Sequence, residues 1–124
     1  MKGLRNLLLE EQQRLETILR ETKTRLKTAP EGSLHLSKSH NRVQYYCCKG
    51  EKKCGDYITK DNQVFVRQLA QKSYDEKLVR LAEKRYGQIK RLLKDYDDDE
   101  LENIYLKEHP QRQKLICPIE LTWE

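Results

Sequence analysis

Leu4, Leu8, Leu15, Ile18, Leu19, Thr22 and Leu26 recur at steps built from three and four residues, and Pro30 follows them. That spacing predicts one amphipathic helix over residues 2–28, stopped by the proline. At 1.5 Å per residue it runs about 40 Å, more than so small a chain can bury along its whole length. Glu11 and Arg25 interrupt its apolar stripe. Glu16 and Arg20, and Glu21 and Arg25, stand four apart with the acid first, the better order for intrahelical pairs.

Little apolar mass is available to cover such a helix. Hydrophobic and charged residues each make up 36% of the 124, with one Phe and one Trp against seven Tyr. The core must therefore be concentrated on a few faces, and half-buried helices or a surface completed by a partner follow. No run approaches the roughly 20 apolar residues that cross a bilayer. Leu7–Leu9 is too short for the apolar centre of a signal peptide, so a cytoplasmic protein with no membrane partner is expected. Cys47, Cys48, Cys54 and Cys117 are then expected to be reduced. Of the formal charge of +5, residues 1–60 hold 13 Lys or Arg against 7 acids, and residues 61–124 hold 12 against 13. That balance permits a polyanionic partner without requiring one.

Residues 31–60 change character. Leu34–Ser37 alternates, Ser39-His40-Asn41 reads as a turn, and Arg42–Cys48 is rich in strand formers. Lys49–Gly55 is a polar turn and Asp56–Lys60 a third short strand, which together predict an antiparallel meander. Leu34 and Leu36 should share one face, as should Val43, Tyr45 and Cys47. A sheet this small needs a helix against it. One follows at once: Asp61 or Asn62 can cap it, and Val64, Phe65, Val66, Leu69 and Ala70 form a dense apolar turn for docking. The pattern continues to about Asp95, with a break near Ser73 left open. Asp97–Glu100 opens a short helix with Leu101, Ile104 and Tyr105 inward, and His109-Pro110 stops it. The tail from Leu115 is apolar but without period, as if a further element followed.

Chemistry is most visible on the second long helix. Lys77, Arg80, Lys84, Gly87, Arg91 and Lys94 are spaced 3, 4, 3, 4 and 3, which places them in one row. Leu78, Ala82, Arg85, Ile89, Leu92 and Tyr96 form a second row about 150° away. The basic row fits two readings, a solvated face opposite the core or a face lying along phosphates. Lys49, Lys52, Lys53 and Lys60 cluster around the second sheet turn, where lysines either keep strand edges soluble or touch a nucleic acid. His35, His40, Cys47, Cys48 and Cys54 lack the paired ligand spacing of a zinc site, and adjacent Cys47 and Cys48 point to opposite faces of a strand. No metal or cofactor is implied. Nucleophile–base pairs and phosphate-cradling glycine loops are missing from the sequence, so no catalytic residue is expected.

Gln44-Tyr45-Tyr46, Tyr57-Ile58 and Leu69–Tyr74, with the later His109-Pro110, Leu115, Pro118 and Leu121-Thr122, resemble the N-terminal half of uncharacterised bacterial proteins of Firmicutes type. In that family the second half resembles a restriction-endonuclease-like domain of the PD-(D/E)xK type. The resemblance implies that nuclease-like acids and a lysine would lie beyond Glu124, so none carries over to this chain.

The sequence thus predicts a helix-dominated α+β fold: a long N-terminal helix (1–30), a three-stranded antiparallel meander with a long second helix (31–97), then a short C-terminal helix and apolar tail (98–124) leading into a further domain. The expected function is a non-catalytic accessory module that binds or positions nucleic acid for a nuclease-like region, through Lys77, Arg80, Lys84, Arg91 and Lys94 with Lys52 and Lys53 as a second patch. The rival expectation is a protein partner or a homodimer through the N-terminal helix, with Leu8, Leu15 and Leu19 as the seam.

Overall fold

The chain folds in the expected order, with helix dominant. A computed structural model describes residues 3–50 and 55–120. Its elements are α1 (Leu4–Lys27), β1 (Ser33–Ser39), β2 (Arg42–Cys48), β3 (Asp56–Ile58), α2 (Gln63–Asp95), α3 (Glu100–Leu106) and α4 (Pro110–Gln113). α2 is continuous through Ser73, so the break left open there does not occur. Two compact units cut across sequence order: Thr17–Lys84 forms one, and Met1–Glu16 with Arg85–Glu124 the other.

In the Thr17–Lys84 unit the three strands form an antiparallel sheet ordered β1-β2-β3. His40 and Asn41 join β1 to β2 as a two-residue loop, both at positive φ (51° and 64°), the backbone that matches the twist of a tight hairpin. The loop sets Leu34 opposite Cys47 and Leu36 opposite Tyr45, and Tyr45 in turn opposes Ile58. The predicted apolar face therefore exists, but only one end of it is covered. Cys47 and Ile58 pack with Val66 and Leu69 of α2, flanked by Leu34, Tyr45 and Phe65. Leu36 and Val43, toward the hairpin tip, are half exposed or more. Val64 and Ala70, expected to dock, face outward, because one helical turn can present only a narrow arc to so small a sheet. On the opposite face Tyr46 and Tyr57 meet edge to face, with ring centroids 5.7 Å apart.

α1 lies antiparallel to α2 in this unit, and one carboxylate organises the contact. Asp75 is 1% exposed. It accepts hydrogen bonds from Arg25 Nε (3.1 Å) and Nη2 (2.7 Å) and from Gln71 Nε2 (2.9 Å). Arg25 thus reaches across to α2 instead of pairing with Glu21 on its own helix. Lys72 donates from Nζ to the carbonyls of Pro30 and Gly32, holding the turn into β1.

In the other unit the same two helices again run antiparallel. Arg5 Nη1 donates to the carbonyls of Leu93 and Tyr96, and Tyr86 donates from its hydroxyl to Glu16 at 3.0 Å. Glu16 therefore faces α2, not Arg20. Of the acidic run, Asp98 accepts the backbone N–H of Arg5 and so caps α1, while Glu100 and Glu102 occupy the first turn of α3. His109-Pro110 does stop α3, but it also starts α4: His109 Nδ1 accepts the N–H of Gln111, and Pro110 sits where a helix needs no N–H. Leu101 and Ile104, expected inside, are both well over half exposed.

Candidate functional site

The buried stripe of α2 decides which side of that helix is free. Asp75, Val79, Ala82, Tyr86, Ile89 and Leu93, with Tyr96 just past the helix end, turn inward at spacings of 4, 3, 4, 3, 4 and 3, and Leu78 is half-buried beside them. This heptad-like seam is rotated about 50° from the row predicted through Leu78, Arg85 and Leu92. Arg85 and Leu92 are exposed. The rotation has a polar cause: Asp75 and Tyr86 enter the seam because Arg25 and Glu16 satisfy them, a pairing that hydrophobic periodicity does not register.

The basic row centres about 160° from this seam. Lys77, Arg80 and Lys84 are exposed in the sheet-bearing unit, and Arg91 and Lys94 are exposed in the other. None of the five forms an ion pair with another described residue. Residues 77–94 hold seven Lys or Arg against one acid, Glu83, and that acid turns toward α1, 3.1 Å from Lys23 Nζ. The charge of the row is therefore not internally compensated, which makes it able to displace counterions from a polyanion. At Gly87 an added Cβ would meet nothing within 4 Å, so the chain's own packing does not require a glycine there.

The other expected features are placed less favourably. Lys49 and Lys60 are exposed, while Lys52 and Lys53 fall outside the described residues. Leu15 is 3% exposed, so the centre of the seam expected for self-association is occupied by the chain's own packing. Among the described residues no three His, Cys, Asp or Glu side chains could jointly hold a metal ion, and no helix is long and apolar enough to cross a membrane.

Several titratable side chains elsewhere are engaged in structure. The guanidinium of Arg14 donates to Glu11 and holds that carboxyl below its usual range. The hydrogen bond to Glu16 raises the Tyr86 phenol, and desolvation followed by the nearby Asp98 charge raises that of Tyr96. These groups brace α1 and the α2–α3 corner, and none lies on the basic row.

Periodicity alone did not reveal a groove of about 670 Å³ formed by α3 and the chain after α4, lined by Leu101, Ile104, Leu106, Ile116 and Ile119 with Glu102. Its signal in the sequence was the company those residues keep: seven acids against one Lys between residues 95 and 108. No protein-family model, curated protein or solved structure matches the chain.

Proposed function

We propose that this chain is a non-catalytic accessory module that binds the phosphate backbone of duplex nucleic acid along α2. Lys77, Arg80, Lys84, Arg91 and Lys94 are its phosphate contacts. The observation that supports this is the row's lack of ion-pair partners among the described residues, on the side of α2 turned away from its buried seam. Backbone charge read without base contacts gives affinity with little sequence preference. The bacterial family resembled by the sequence supplies a context, a nuclease-like region for which such a module positions substrate.

Fluorescence anisotropy with short duplex DNA at low salt tests the proposal. The variant carrying Arg80→Glu, Lys84→Glu and Arg91→Glu is expected to bind at least about tenfold more weakly. Equal binding by that variant, or no binding by the parent chain, refutes the assignment.

A further inference from the structure

The groove beside α3 is braced by backbone hydrogen bonds but left apolar-incomplete. α3 has no buried residue. A helix of 7 residues is not stable by itself, so something must hold it. Gln113 does so from α4: its Nε2 shares two hydrogens among the carbonyls of Tyr105 (3.1 Å), Leu106 (3.2 Å) and Glu108 (3.0 Å). The Tyr105 hydroxyl donates back to the Gln113 carbonyl. The backbone at the end of α3 is thereby satisfied, and the groove is formed in advance of any occupant.

The side chains tell the opposite story. Leu101, Ile104, Leu106 and Ile119 are each more than 60% exposed and line one groove, with Ile116 beside them. Scattered apolar residues need no explanation, but a contiguous set does. In the same wall, Glu102 Oε2 is sealed from solvent and no described residue donates to it. Glu102 is itself only partly buried and lines the groove, so a cation carried by an occupant would meet its carboxylate there. The surroundings favour the same sign, because the 95–108 segment carries a balance of −6.

We infer that this groove docks an amphipathic helical segment of another protein that carries apolar anchors three or four residues apart and one Lys or Arg placed to donate to Glu102. α3 is about 10 Å long, enough to face roughly two turns of such a segment. A second copy of this chain offering its own α3 would set Glu102 and its acidic neighbours against the same acids, which charge opposes.

Selection from a displayed library of random peptides on the immobilised intact chain tests this. The expected consensus has apolar residues at helical spacing around a Lys or Arg. Synthetic peptides of that consensus should bind about tenfold more weakly to Glu102→Gln, the loss of one charge-assisted bond, and more weakly still to Ile104→Ser. Both variants are exposed or surface-lying positions, and circular dichroism confirms that they fold. Glu variants at Arg80, Lys84 and Arg91 should leave peptide binding intact, separating this site from the phosphate-binding row. A consensus without a cation, enrichment that persists on Ile104→Ser, no enrichment over a blank surface, or a concentration-dependent dimer that Ile104→Ser abolishes would each overturn it.

Discussion

Arg25→Ala removes both guanidinium hydrogen bonds to Asp75 and leaves Gln71 as its remaining donor. The Asp75 side chain is 2% exposed, so water does not replace what is lost without rearrangement. Two charge-assisted bonds are worth about 1.5–3 kcal/mol each, and breaking a buried ion pair from one side costs about 3–5 kcal/mol. Arg25 itself is 54% exposed, so its removal opens a route for solvent and places the expected loss at the lower end, about 3 kcal/mol. For a chain of this size that corresponds to a fall in Tm of about 10–15 °C. Urea denaturation followed by circular dichroism measures it, with the midpoint falling at an unchanged slope. Asp75→Asn should cost less, because the half-exposed Arg25 can turn to water. Replacing both residues with Leu should cost less than Arg25→Ala, since no buried charge is left unpaired. A loss below about 1 kcal/mol for Arg25→Ala would mean that the pair behaves as a surface ion pair, and the account of α1 docking through Asp75 would fail.

Three glycine substitutions should separate by sign and size. Gly87→Ala places a methyl group in open space inside a long helix and should raise stability by about 0.8–1 kcal/mol, read as a Tm gain of about 3–5 °C; a decrease would mean that something packs against that backbone. Gly32→Ala should cost about 2–3 kcal/mol, because Gly32 sits at φ 107° and its new Cβ would lie 2.6 Å from the buried Cys47 sulfur; Gly50→Ala, at φ 60° with nothing within 4 Å, should cost only about 1 kcal/mol, and equal losses would remove the steric part of the argument.

Element order was legible because each segment carries its own period: steps of three and four through Leu4–Leu26, alternation through Leu34–Cys47, and the long run after Asn62. The turn at His40-Asn41 was legible for a local reason, since few side chains accept two successive positive φ values. What escaped was tertiary polarity. Asp75 and Tyr86 fall beside the predicted row until Arg25 and Glu16 are placed opposite them, and that substitution of polar for apolar contacts turns the seam by half a residue step. The exposed α3 groove escaped for the converse reason. Leu101 and Ile104 have the spacing of an inner face, but no described residue covers them. The basic row survived the rotation because it lies far enough from either version of the seam.

Binding of duplex DNA measured across a salt series bears most directly on the role given to α2. If three to five of Lys77, Arg80, Lys84, Arg91 and Lys94 contact phosphates, log affinity should fall against log salt with a slope of about −2.7 to −4.5. Charge reversal at Arg80, Lys84 and Arg91 should flatten that slope by about 2.7. A parent slope near zero, or the same slope before and after reversal, would contradict it.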